Sequence, residues 1–125
     1  MSSGAVSGTP IAPLASIADG AARGFTVERD GRKHELILVR RGCAVFAYVN
    51  ACPHLGTPLE IFPDKFLDYT GTRLLCSTHG ASFRIADGFC LSGPCEGRSL
   101  AAAPISVVDG TVVLTGPVPA PPIPG

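Results

Sequence analysis

Apolar residues along the chain fall in short runs closed off by glycine, proline and aspartate, and none keeps a helical period over a long stretch. Residues 24–27 and 35–40 read as two strands joined through Arg29-Asp30-Gly31, a tight-turn signal, with Ala44–Val49 as a third strand. Along that third run Val45, Ala47 and Val49 alternate with Phe46, Tyr48 and Asn50; neither set is strongly polar, which predicts cover on both faces. Residues 57–73 carry Pro58, Pro63 and the turn sequence Asp68-Tyr69-Thr70-Gly71, so a mostly irregular connection is expected, with at most a helical turn near Ile61. Short strands at 72–75, 82–85 and 89–91 surround an Asp87-Gly88 turn. Ile105–Val108 and Thr111–Leu114 flank Asp109-Gly110, the clearest hairpin in the chain, expected to close the base sheet against the first strands. These elements predict an all-β class.

Two stretches interrupt this pattern with metal-ligating chemistry. Cys52-Pro53-His54-Leu55-Gly56 and Cys76-Ser77-Thr78-His79-Gly80 each supply one thiol and one imidazole, and each lies where a strand gives way to turn residues. A C-x-H and a C-x-x-H on two loops, each followed closely by glycine, resemble the binding motif of the Rieske [2Fe-2S] family. The resemblance implies one [2Fe-2S] cluster, with Cys52 and Cys76 on one iron and His54 and His79 on the other. It implies histidines ligating through Nδ1, with Nε2 at the surface as an exit for an electron. Two ferric ions and two sulfides carry a net positive charge that two thiolates cancel, so with neutral histidines the oxidised cluster is uncharged and accepts an electron readily. Such clusters span about −150 to +300 mV, against about −400 mV for plant-type ferredoxins. Gly56 and Gly80 allow the loop backbone to approach the sulfides, and Pro53 stiffens the first loop.

The implied fold is a Rieske-type arrangement of stacked antiparallel sheets with a small cluster-binding subdomain of two loops. It divides the chain into a flexible lead-in over residues 1–12, a Rieske domain over 13–114 with its cluster-binding part at about 51–96, and a proline-rich tail over 115–125. Ser92-Gly93-Pro94 resembles the proline-containing loop that covers the cluster in this family.

Departures from the respiratory Rieske pattern narrow the expectation. The paired loop cysteines of those proteins are replaced by Thr57 and Thr78, so their disulfide is absent. Where they place a serine and a tyrosine that donate hydrogen bonds to sulfur, this chain has Ala81 and Phe83. Without those donors added negative charge is less stabilised, which implies a potential near the low end of the range. This is the pattern of the ferredoxin of bacterial ring-hydroxylating dioxygenase systems. The implied role is a one-electron carrier between an NAD(P)H-dependent flavin reductase and a terminal oxygenase, an electron-transfer component rather than an enzyme: beyond the ligand set only His34 is left, too few histidines for a mononuclear catalytic iron. Two other readings are a small Rieske-like nitrite reductase subunit, in which ligands are sometimes missing whereas all four are present here, and a zinc-stabilised binding module, against which the spacing argues because zinc sites usually pair C-x2-4-C with H-x3-5-H.

Composition trims the remaining options. With 125 residues and a formal net charge of zero, one domain with a real core is expected and nucleic acid is not an expected partner. Residues 1–50 carry six basic and four acidic side chains, residues 51–125 four and six, leaving the cluster-bearing part mildly acidic. The first twenty residues hold no Lys or Arg and no long apolar run, so neither a leader nor a membrane anchor is read there, and a cytoplasmic location follows. Cys43 is expected as a small buried apolar residue and His34 as a solvent-facing one. Cys90 and Cys95 bracket Gly93-Pro94; a bridge between them would stiffen the covering loop, whereas a reducing compartment would keep both as thiols.

Overall fold

Leu36, Ile37, Leu38 and Val39 run consecutively with no more than 1% of their surface exposed. In a strand, successive side chains point to opposite faces, so a fully buried run requires a layer on each side. The computed structural model, which describes residues 8–29, 31–52, 58–59, 64–76, 80–93 and 97–119, supplies both layers. Its described elements are β1 (Thr9–Pro13), a 3-10 turn (Leu14–Ser16), β2 (Ala22–Arg29), β3 (Arg32–Arg41), β4 (Ala44–Val49), β5 (Arg73–Leu75), β6 (Ser82–Arg84), β7 (Cys90–Ser92), β8 (Ile105–Val108) and β9 (Thr111–Leu114). Among the described residues there is no α-helix, and the strands form three antiparallel sheets ordered β1-β9-β8, β2-β3-β4 and β5-β6-β7.

The central sheet β2-β3-β4 is the frame. Leu36 and Leu38 join Val27, Ala47 and Val49 on the face turned to Val112, Leu114 and Ala103. Ile37 and Val39 join Ala22 and Tyr48 on the opposite face, against Leu59, Phe66, Leu74, Phe83, Ile85 and Leu100. Full burial of each such side chain contributes roughly 1.5–3 kcal/mol, so this strand outweighs any single turn or ion pair in holding the layers together.

Several expectations need correction. The lead-in assigned to residues 1–12 is from Thr9 onward an edge strand, β1. Prolines 10 and 13 lack the amide that a central strand must donate, which an edge position tolerates. The register on β9 slips between Val112, opposite Ala12, and Val113, opposite Pro10, leaving Ile11 as the extra residue of a bulge. The β8–β9 hairpin does not extend the base sheet; it pairs with β1 and packs face to face on that sheet. Its Asp109-Gly110 turn has both φ angles positive, +50° and +77°, as a two-residue primed turn requires. Cys43 is exposed instead of buried, because Arg41 pairs with Ala44 and leaves Gly42-Cys43 as a two-residue loop pointing outward. His34 is half-buried against the segment after β9. The helical turn near Ile61 lies outside the described residues.

Candidate metal centre

The first loop leaves the central sheet through Asn50-Ala51-Cys52. The Asn50 amide donates to Glu35 O at 2.9 Å, continuing the ladder past the end of β4, and the Ala51 amide turns back to Val49 O at 2.8 Å. Asn50 Oδ1 accepts from the Leu59 amide at 2.8 Å, so one side chain ties the segment before Cys52 to the segment after the loop. Leu59, fully buried, anchors that far end in the apolar core. Asn50 is a positioning residue that the sequence reading treated only as part of a strand face; a lone Asn at a strand end two positions before a ligand motif was the available signal.

The second loop is a hairpin loop between β5 and β6. Beyond the last ladder pair, Leu75 opposite Ser82, the Cys76 amide donates to Ala81 O at 2.8 Å and the Gly80 amide donates to Cys76 O at 2.8 Å. Gly80 has φ +75°, a left-handed conformation that glycine adopts without a side-chain clash. The long connection before β5 returns to the same place: the Leu75 amide donates to Phe66 O at 2.7 Å and Leu67 bridges Leu74. It is tied to the frame where the Gly24 amide donates to Asp64 Oδ1 at 2.9 Å.

Cys52 and Cys76 are both fully buried and belong to one apolar cluster that also contains Leu59, Phe66, Leu74, Ala81 and Phe83. His54 lies in residues 53–57 and His79 in residues 77–79, both outside the described residues, as are Thr57 and Thr78. Among the described residues, accordingly, no group of three or more His, Cys, Asp or Glu side chains is gathered. The donor set suits the expected group: two buried thiols within one apolar cluster, one beside each loop, are the soft ligands that iron–sulfur clusters take.

A third segment lies against Ala81, where β6 begins after the second loop. A Cβ on Gly93 would lie 2.6 Å from Ala81 Cα, so backbone is laid directly on backbone, and the glycine has φ +104°. Ser82 and Ser92 share a hydrogen bond between their hydroxyls at 2.7 Å, fastening β7 to β6 beside it, and the Cys90 thiol donates to Ser92 O at 3.2 Å. Pro94 and Cys95 lie outside the described residues, and with them the question of a Cys90–Cys95 bridge. Ala81 and Phe83 are fully buried, and Ser82, the hydroxyl between them, is engaged by Ser92.

Tyr48 holds this layer to the frame. Its hydroxyl donates to Ile85 O, and the Gly88 backbone lies so close to its ring that a Cβ there would be 2.8 Å from Cε1. Burial, with Asp87 nearby, pushes the phenol up to about 12, so it remains a donor at any physiological pH. In the same turn the Arg84 guanidinium forms a two-pronged pair with Asp87, at 2.9 and 2.7 Å, and together with the Phe89 amide holds that carboxyl down at about 2.

A family model described as "Rieske [2Fe-2S] domain" matches residues 9–114. The chain belongs to that family. As a Rieske domain it binds a single [2Fe-2S] cluster. No curated protein matches the chain. Among solved structures it resembles the ferredoxin of Sphingomonas yanoikuyae B1, with 26% identity and TM-score 0.65 over 86% of this chain and 97% of that one. It also resembles the ferredoxin of carbazole 1,9a-dioxygenase from Nocardioides aromaticivorans IC177, with 23% identity and TM-score 0.68 over 86% of this chain and 96% of that one. The terminal oxygenase of the same Nocardioides system gives 24% identity and TM-score 0.67 over 88% of this chain but only 30% of that chain. At these last two identities the likeness is one of fold. The Rieske fold thus recurs in carrier and oxygenase alike. No helix among the described residues is long and apolar enough to cross a membrane.

Proposed function

We propose that this Rieske protein is a one-electron carrier that takes electrons from an NAD(P)H-dependent flavin reductase and passes them to a terminal oxygenase in the cytoplasm, with no substrate chemistry of its own. The observation that carries the reading is the convergence of buried Cys52 and Cys76 from two loops into one apolar cluster, combined with a ferredoxin likeness running over 97% of the Sphingomonas protein. When bound, the cluster supplies a reversible one-electron couple. In the proposed ligand set Cys52 and Cys76 hold one iron, and His54 and His79 the other. Leu59, Phe66, Leu74 and Phe83 are buried in the same apolar cluster as the two thiols and keep it dry, and Gly93 lies on Ala81. In domain terms the carrier is the Rieske unit, with residues 115–125 as an appended tail.

The proposed potential is low. Neither Ala81 nor Phe83 has a hydroxyl to donate to a cluster sulfur, and the Ser82 hydroxyl between them is hydrogen-bonded to that of Ser92. With no side-chain hydroxyl at positions 81 and 83, added negative charge is less stabilised, and the proposed midpoint is in the lower part of the roughly −150 to +300 mV Rieske range. An anaerobic titration of the purified protein with dithionite tests the carrier role. The expected result is uptake of one electron per chain with bleaching of the visible bands, returned in full to ferricyanide. A colourless protein containing zinc and taking up no electron would refute it.

A further inference from the structure

The two loops that carry the motifs are closed by different means. At the second, backbone meets backbone: past the last ladder pair of β5 and β6, the Cys76 amide donates to Ala81 O and the Gly80 amide to Cys76 O, each at 2.8 Å. At the first, backbone meets a side chain. The chain leaves the frame at Asn50 and returns at Leu59, whose amide donates to Asn50 Oδ1 at 2.8 Å. Asn50 is itself fixed to the frame, its own amide donating to Glu35 O at 2.9 Å. Leu59 is fully buried in the apolar cluster that holds Cys52 and Cys76. A buried amide stripped of its acceptor is penalised, so the return of this loop is coupled to one hydrogen bond. Cys52 and His54 both fall between its two ends in the sequence.

We propose that Asn50 is the latch of the first loop, a positioning residue whose bond to Leu59 governs how fast the cluster is lost, so that the first loop opens before the second. The proposal rests on the ligand set Cys52, His54, Cys76 and His79. Residues that orient metal ligands without touching the metal change its affinity by about 10–100-fold when they are replaced. Here the effect falls on one side of the cluster: freeing the Leu59 amide loosens the loop of Cys52 and His54, while the Cys76–Ala81 closure is untouched. What the position needs is an acceptor oxygen. Aspartate keeps that oxygen and gives up the amide NH2, whereas alanine has neither, so the pair of variants isolates the bond to Leu59.

The test reduces the cluster-loaded full chain with dithionite, adds the ferrous chelator bathophenanthroline disulfonate and follows iron release, with hydrogen–deuterium exchange read in parallel by mass spectrometry. Asn50→Ala should release iron about tenfold faster than the native chain, and Asn50→Asp should stay within about twofold of it. Exchange should rise in Asn50→Ala at Leu59 and not over residues 80–82. Val112→Ala, a cavity on the opposite face of the frame, should weaken the fold without changing release, which separates a latch from general loss of stability. Release from Asn50→Ala at the native rate, from Asn50→Asp as fast as from Asn50→Ala, or from Val112→Ala as fast as from either would overturn the latch. A native chain that holds no iron would refute the ligand reading, and the latch with it.

Discussion

The central sheet and the layer carrying Cys52 and Cys76 are built by different means. Strands β2, β3 and β4 have eight, ten and six residues in unbroken antiparallel register. Strands β5, β6 and β7 have three residues each, and the β6–β7 register shifts between Ser82 and Phe83. The frame draws its stability from continuous apolar burial. The outer layer depends on side-chain and backbone tethers such as Tyr48 to Ile85, Asn50 to Leu59 and Gly93 on Ala81. The lesson is a division of labour in which the stiff sheet presents the first loop directly, while the strands that flank the second are too short to fix it without tethers.

Four expected outcomes sharpen that contrast, starting with the largest. Cys76→Ser removes a proposed ligand, and the visible absorption and iron content should be lost while the far-ultraviolet circular dichroism of the frame persists; collapse of the whole β signal would mean that the two regions are not separable. Next comes Leu38→Ala, which opens a cavity in the frame and should cost about 2–5 kcal/mol in urea unfolding, affecting both layers at once.

Smaller is Tyr48→Phe, which leaves the Ile85 carbonyl without its donor and should cost about 1 kcal/mol. Its loss should appear as faster amide exchange at residues 85–90, with β3 unchanged. The smallest effect concerns Asp87. Its carboxyl is held at about 2, below the ordinary value of 3.8, so the stabilisation from its pairing with Arg84 is present above the ordinary value and fades as pH falls toward about 2. Exchange protection in the 85–88 turn should therefore fall between pH 4 and about 2, and Asp87→Asn should abolish that dependence.

The frame was legible in the sequence because unbroken apolar runs and turn dipeptides are local signals. Ala44–Val49 was placed to the residue, and the cover on both faces followed from its mixed alternation. What escaped was long-range. Strand β1 contains two prolines and pairs with residues a hundred positions away, so nothing nearby announces it. Cys43 was misplaced because its exposure depends on whether Gly42-Cys43 or the strand provides the turn, which the Arg41–Ala44 pairing decides. Of the proposed ligands, the motif spacing named all four. The structure buries Cys52 and Cys76 in the same apolar cluster, and His54 and His79 lie outside its described residues. The tether Tyr48 was invisible as such, since a tyrosine in a strand says nothing about what it will reach, and Asn50 offered only its place two positions before a ligand motif.

The central claim is a low-potential His-ligated cluster, and a redox titration followed by electron paramagnetic resonance tests it most directly. The account predicts a reduced-state signal with the low average g value of such a cluster, appearing at a midpoint in the negative part of the roughly −150 to +300 mV range. A strongly positive midpoint would contradict the argument from Ala81, Ser82 and Phe83, and absence of any such signal from the iron-loaded protein would contradict the ligand assignment itself.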